Sequence, residues 1–246
     1  MSGLLLQLAG PMQSWGEHSA FGDRDTHTHP TRSGLIGLLA AALGLPRDAD
    51  LTDLRALSFT IRIDRPGRRI IDFHTIGGGL PPKKTVPTAE GKRRGPDAAT
   101  MVTRRHYLAD AVFTVAVEGP TATIDACAQA LRAPQWAPYL GRRSCPPSRP
   151  ILLAVVADPV DHLETLPLAR EADGDPVTVT IVADRPTADG AAVSELTDEP
   201  ATFAPRARRY AVRSSYSTTR TLPATSCAGY GATYLDQLAA YLERLQ

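Results

Sequence analysis

The chain has 246 residues, 43% of them hydrophobic, with 27 Lys/Arg against 26 Asp/Glu and a formal net charge of +1. That length supports one large domain or two small ones around an ordinary soluble core, and the balanced charge names no partner by itself. The first residues form no charged-then-apolar leader and no apolar run approaches the roughly 20 residues of a membrane span, so a cytoplasmic protein without membrane contact is expected. Cys127, Cys145 and Cys227 are odd in number and lack CxxC spacing, which argues against a disulfide framework and against a zinc site.

Gly3-Leu4-Leu5-Leu6-Gln7-Leu8-Ala9 is a short apolar run stopped by Gly10-Pro11, the pattern of a buried first strand. Residues 12–29 have no periodicity and mix Trp15 and Phe21 with polar, charged and histidine residues, as a long functional loop would. His27-Thr28-His29 is the one close histidine pair, and it lacks the further ligands a metal needs. From Pro30 to Gly44 the sequence signals a buried helix: Thr31 or Ser33 can cap its start, and Gly44 sits where a left-handed residue would end it. Gly34 and Gly37 bring its backbone close to whatever lies beneath. Arg32 stands beside two hydroxyls at the helix N-terminus, where free N–H groups and the dipole favour an anion. Two readings of that start remain open: a site for phosphate or nucleic-acid backbone, or a capped core helix with one surface arginine.

Ser58 to Asp64 alternates as a half-exposed strand, Arg65-Pro66-Gly67 is a turn, and Arg69 to His74 forms a second strand of the same hairpin. The composition then changes. Gly77-Gly78-Gly79, Pro81-Pro82, Lys83-Lys84 and Lys92-Arg93-Arg94 fall in a stretch of low hydrophobicity, and residues 83–105 carry seven Lys/Arg against two acids. A mobile basic arm is expected there. Regular structure resumes at Tyr107, with a strand from Ala109 to Glu118, and Ile124, Cys127, Ala128 and Leu131 follow at the spacing of an amphipathic helix. A buried strand covers Ile151 to Ala157. Strand, helix, strands, helix, strand is the order of a ferredoxin-like sandwich, an α+β architecture shared by RNA-recognition modules.

Residues 158–199 carry eleven Asp/Glu against two Arg, a net −9, so the rest of the chain holds +10. Val177 to Val182 is the clear strand in that acidic region, and Phe203 to Arg220 is basic, with Tyr210 and Tyr216 between its arginines. Tyr234, Leu235, Leu238, Leu242 and Leu245 mark an amphipathic C-terminal helix. A boundary near Asp158 is expected, giving a ferredoxin-like domain over 1–157 and a smaller β-rich part over 158–246.

No phosphate loop, dinucleotide fingerprint, nucleophile elbow or HExxH is present; Gly77-Gly78-Gly79 runs into Leu-Pro-Pro, which cannot continue as a helix. A metal-free ribonuclease needs a general acid, a base and cations around one phosphate, and His74, Tyr107, Lys83 and Lys84 are the residues that could supply them. RNA binding without cleavage draws on more of the chain. Trp15, Phe21, Tyr107 and Tyr139 offer stacking faces, and Arg24, Arg32, Arg105, Arg142 and Arg143 offer phosphate contacts.

Several motifs in order carry a resemblance. Leu8 to Gly16 (LAGPMQSWG) opens the set, followed by Pro30 to Leu39 (PTRSGLIGLL), Asp72-Phe73-His74-Thr75, Arg105 to Ala111 (RHYLADA) and Pro138 to Pro146 (PYLGRRSCP). In this order, over about residues 3–157, the chain resembles the CasD family, RAMP-superfamily subunits of type I-E CRISPR Cascade complexes. The resemblance implies a non-catalytic, cofactor-free subunit whose ferredoxin-like domain grips the 5′ handle of crRNA. It implies a thumb, here about 76–104, folded over the RNA. The partners implied are CasC backbone subunits, the large CasA subunit and, through the complex, target DNA. Related type I-C proteins cut repeat RNA, which keeps a metal-independent endoribonuclease as the alternative. Transferred position by position, Arg105 at the thumb base is a handle contact, and Arg32, Ser33 and Gly34 match the helix-start motif. Met12, Gln13 and Trp15 shape a base pocket or the core beneath it, and Tyr139 to Ser144, with Arg142 and Arg143, is part contact and part structure.

Overall fold

The computed structural model describes residues 2–17, 22–88, 90–95, 98–186 and 191–245. Alternation decides the first strand: in β1 (Ser2–Ala9), Leu4, Leu6 and Leu8 join one core while Leu5 and Ala9 join another. Because both faces are covered, the strand reads as continuously apolar. β1 lies antiparallel between β7 (Val112–Glu118) and β8 (Leu152–Ala157), and β7 pairs in turn with β4 (Ser58–Arg65). On the far side of β4 follow β9 (Val177–Ala183), β11 (Arg209–Leu222) and β10 (Ala192–Thr202), completing a seven-stranded sheet in the order β10-β11-β9-β4-β7-β1-β8. The strands after Asp158 therefore extend the same sheet. The whole is a mixed α+β structure built on antiparallel sheets.

One face of this sheet is closed by α1 (Arg32–Leu43) and α3 (Thr121–Arg132), whose Leu35, Ile36, Leu39, Ile124 and Cys127 pack on Phe59, Phe113, Val115 and Val117. Each such side chain contributes on the order of 1.5–3 kcal/mol by leaving water. Two short helices, α2 (Thr52–Arg55) and α4 (His162–Thr165), lie in the connections before β4 and after β8. The opposite face takes α5 (Gly231–Glu243), through Tyr234, Leu238 and Tyr241 against Leu5, Val112 and Leu166. Beneath the loop after α4, Arg62 and Asp64 form a fully buried pair at 2.6 and 3.1 Å, and the remaining guanidinium donors reach the carbonyls of Leu163, Leu166 and Pro167. Asp64 also accepts from the Thr114 hydroxyl at 2.8 Å. Such a pair is tolerated in the interior because these partners are all present.

Three expectations change. The stretches 58–64 and 69–74 do not form a hairpin with each other. β5 (Arg68–Ile76) pairs instead with β6 (Met101–Ala109) in a second sheet, while β4 pairs with β7 in the first. Arg65 opposes Val112 and Arg68 opposes Ala109, so one long two-stranded ribbon bends at 66–67 and at Asp110, whose φ is 57°. The strand expected from Ala109 accordingly divides at that bend, and its first half begins at Met101. The loop 12–29 is not wholly irregular: β2 (Met12–Gln13) and β3 (Asp23–Arg24) flank β6, antiparallel and parallel respectively. Residues 77–100 join β5 to β6. They contain a 3-10 turn at Pro82–Lys84, and Arg93 donates to the Thr85 carbonyl at 2.6 Å.

Candidate nucleic-acid interface

The loop from Ser14 to His27 is pinned before it reaches α1. The Trp15 amide donates to the Thr26 hydroxyl at 2.8 Å, the His27 amide to the Trp15 carbonyl at 2.7 Å, and the Ser14 amide to the Leu140 carbonyl at 3.1 Å. This places residues 136–143 alongside α1. Two glycines make the approach possible. A Cβ on Gly34 would stand 2.7 Å from the Trp15 ring, and one on Gly141, whose φ is 84°, would stand 1.7 Å from the Ser14 carbonyl oxygen. Between α1, residues 136–143 and the turn joining β10 to β11 lies an open groove of about 940 Å3. Ser33, Gly34, Tyr139, Arg142 and Arg143 line it, together with Trp15.

Arg32 does not face that groove as a free cation, which corrects its assignment as a phosphate contact. Its side chain is 7% exposed. It is bound by the carboxylates of Asp184 and Glu199 and donates to the carbonyls of Leu57 (2.9 Å) and Arg55 (2.7 Å). The helix start does hold an anion, as the dipole favours, but the anion is internal: the Arg32 amide donates to Asp198 Oδ2 at 2.7 Å, and Thr31 makes no side-chain cap. Arg213 completes the cluster, donating to Asp198 at 2.6 and 3.0 Å and to Asp184 at 2.8 Å. Burial pushes the Asp184 carboxyl up against the pull of Arg213 and Arg32. For Arg213, burial opposes the charge, but Asp198, Asp184 and Glu199 together raise its pKa. Neighbouring His29 is held down at about 4, chiefly by burial and then by His27.

Five more candidates prove structural. Trp15 is fully buried and donates through Nε1 to Gln13 Oε1 at 3.0 Å. Gln13, also buried, donates to the carbonyls of Leu8 (3.0 Å) and Ala111 (2.8 Å), and Met12 packs against the same core. Of the two readings for residues 12–15, the core is the one realised, because this turn must satisfy the backbone where the two sheets part. Tyr107 is buried under Arg142, whose guanidinium lies 4.9 Å above the ring and donates to the carbonyls of Arg24 (2.9 Å), Asp25 (3.2 Å) and His106 (3.3 Å). Arg142 is thus the clamp between the groove wall and the second sheet, and not a free phosphate contact.

The second sheet brings other candidates together. Arg24 on β3 opposes Arg105 on β6, which opposes Asp72 on β5, so the three share one face. Arg105 Nε donates to the Thr103 hydroxyl at 3.1 Å. His74 lies two residues along the same face, its Nδ1 3.3 Å from Asp72. His106 belongs to the opposite face, 3.0 Å from Asp23. Lys83 and Lys84 are exposed in the 3-10 turn of the arm, beyond the end of the hairpin. Phe21 lies outside the described residues. The sequence reading missed Arg47, Trp136, Phe203, Arg208 and Tyr210, which line the groove with the residues above. The basic, tyrosine-bearing run after Phe203 was the available signal, but its place in the groove depends on pairing between β10 and β11.

Comparison with known proteins identifies the family. The chain is 41% identical over 165 residues to the CRISPR system Cascade subunit CasD of Escherichia coli (strain K12), covering 61% of this chain and 69% of that one. It superposes with a TM-score of 0.87 on a chain of a CRISPR RNA-guided surveillance complex, at 51% identity over 98% of this chain and 99% of the other. A second solved structure, a Cas protein, matches at a TM-score of 0.65 and 31% identity, over 93% and 98% of the two chains. A family profile described as CRISPR-associated protein (Cas_Cas5) matches residues 3–216, and the chain belongs to that family.

Proposed function

We propose that this protein is a non-catalytic RNA-binding subunit of a type I-E Cascade complex. It holds the 5′ handle of crRNA and caps the CasC filament beside CasA, meeting target DNA only through the assembly. The observation that carries this reading is the register of β3 and β6, which sets Arg24 beside Arg105 on one face of the hairpin. The adjoining arm adds Lys83, Lys84, Lys92, Arg93 and Arg94. Cations at this density suit successive phosphates of a single strand. The likeness to CasD and to a chain of a surveillance complex supports the same reading. The order β8-β1-β7-β4, with α1 and α3 on one face, supports a ferredoxin-like description of residues 1–157, followed by a smaller β-rich part over 158–246. The β5–β6 hairpin and its arm, about 76–104, are the element we assign as thumb.

Against a repeat-cutting ribonuclease stands the placement of the two hairpin histidines. Acid and base must flank one phosphate, yet His74 and His106 lie on opposite faces of the second sheet. Of the candidates for that chemistry, His74, Tyr107, Lys83 and Lys84, Tyr107 is buried beneath Arg142. Nuclease footprinting of crRNA in the assembled complex tests the proposal. Protection of the 5′ handle that disappears when this subunit is left out is expected, and equal protection without it would overturn the reading.

A further inference from the structure

We propose that Arg142 is a positioning residue for RNA binding. It meets no phosphate itself; its guanidinium locks β3 onto β6 and so sets the Arg24 side chain beside that of Arg105. The inference rests on the RNA-binding reading above and deepens it by naming what aligns the two cations.

The strand that carries Arg24 cannot hold its own place. β3 is two residues long and pairs with β6 in parallel, the arrangement that is less stable per residue. The Arg104 amide donates to the Gly22 carbonyl at 2.7 Å, and the register sets Asp23 on Arg104 and Arg24 on Arg105. Most strands run to at least about three residues, so a ladder this short leaves its register to other contacts. Much depends on that register. Successive side chains alternate between faces, so a slip of one residue would carry Arg24 to the face opposite Arg105.

Arg142 supplies the lock. Its Nη2 donates to the carbonyls of Arg24 (2.9 Å) and Asp25 (3.2 Å), and its Nη1 to that of His106 (3.3 Å). One planar group thus spans the end of β3 and the residue of β6 that follows Arg105. Its face lies 4.9 Å from the centroid of the buried Tyr107 ring, also on β6. The base of the side chain is held as well. The Leu140 amide donates to the Cys145 carbonyl at 2.8 Å, the Cys145 amide to the Arg142 carbonyl at 2.9 Å, and Gly141 is pressed against the Ser14 carbonyl. The other tie between β3 and β6 is weaker: His106 reaches Asp23 at 3.0 Å, but Asp23 is largely exposed. The three acceptors of Arg142 are neutral carbonyls, so the guanidinium keeps its charge, and charge and geometry can be separated by substitution. Lysine carries the same charge without the fork or the flat face.

The test measures binding of a labelled single-stranded RNA carrying the repeat-derived 5′ handle, over a range of salt, by the complex that the protein co-purifies with. Arg142→Lys is expected to weaken binding about tenfold, as loss of one charge-assisted contact would. The log–log salt dependence should become shallower by about 0.7, the value for one phosphate on a single strand, although no charge has been removed. Arg24→Ala should give the same two changes, and the double variant should add nothing to either. Should Arg142→Lys not enter the complex, Tyr107→Leu carries the same expectation, because it withdraws the ring beneath the guanidinium and leaves the arginine. Wild-type affinity and slope in Arg142→Lys, with or without a lower melting temperature, would overturn the inference by leaving the residue a structural role or its charge alone. Losses that multiply in the double variant would overturn it by showing that Arg142 meets RNA independently. Wild-type affinity in Arg24→Ala would remove the inference and leave the RNA-binding reading intact, whereas a wild-type complex that binds no handle RNA would remove both.

Discussion

Asp198, in β10, accepts a 2.7 Å hydrogen bond from the backbone N–H of Arg32, the first residue of α1, across 166 residues of sequence. The same carboxylate, 1% exposed, receives the Arg213 guanidinium. It therefore caps a core helix and neutralises a partly buried cation in one position. Asp198→Ala is expected to destabilise the protein by about 3 kcal/mol in urea unfolding, because it strips Arg213 of its bidentate partner as well as the cap. Asp198→Asn keeps an acceptor for the Arg32 amide and should cost about half as much. Equal losses for the two substitutions would mean that the charge contributes nothing.

Gly141 is fixed by both backbone and space: its φ is 84°, and an added Cβ would lie 1.7 Å from the Ser14 carbonyl oxygen. Gly141→Ala must displace either residues 136–143 or the loop that holds Trp15. A loss of at least about 3 kcal/mol is expected. Thermal unfolding of the variant measures it, and a melting temperature within a degree or two of wild type would show that the contact yields easily.

His29 gives stability a pH dependence. Its folded pKa, about 4, lies below the ordinary histidine value of 6.5 because burial disfavours the imidazolium. The unfolded chain therefore binds the proton more readily. This contribution is intact above pH 6.5 and is lost as pH falls from 6.5 towards 4. Between pH 7.5 and 5 the loss from this residue amounts to about 2 kcal/mol. Urea unfolding of His29→Gln over that range should show a correspondingly flatter profile, whereas a profile parallel to wild type would remove His29 as the cause.

Arg105→Ala is expected to weaken binding of handle RNA by about 1–3 kcal/mol while leaving the fold unchanged, since the Arg105 side chain donates to the Thr103 hydroxyl on its own strand. Arg105→Lys should recover part of the loss, keeping charge without the guanidinium fork. Unchanged handle affinity in a folded Arg105→Ala protein would remove the residue from the site.

What the sequence disclosed follows from which forces act locally. The apolar run of β1 and the spacing of Ile124, Cys127 and Ala128 or of Tyr234 and Leu238 are set within each segment, and those elements stand where their pattern put them. β10 was not legible. It is acidic, contains Pro200 and is bulged twice against β11, so no clean alternation survives. Pro66-Gly67 has the composition of a hairpin turn, yet here it bends one ribbon from the first sheet into the second, a difference decided by pairing with β6 and β7. Arg32 beside Thr31 and Ser33 signalled an anion correctly in kind. That the anion is Asp198 could not be read before β10 was placed against α1. The same pairing hid the groove, because Tyr210 and Trp136 come to line one groove only in the folded chain.

We propose that this protein holds handle RNA without cutting it. This is tested most directly by incubating the purified protein, alone and in its co-expressed complex, with labelled repeat RNA in the absence of added metal, reading binding and cleavage from the same reactions. Intact RNA, bound in the complex with its 5′ handle protected, is the expected result. A discrete cut within the repeat that vanishes in His74→Ala would contradict it.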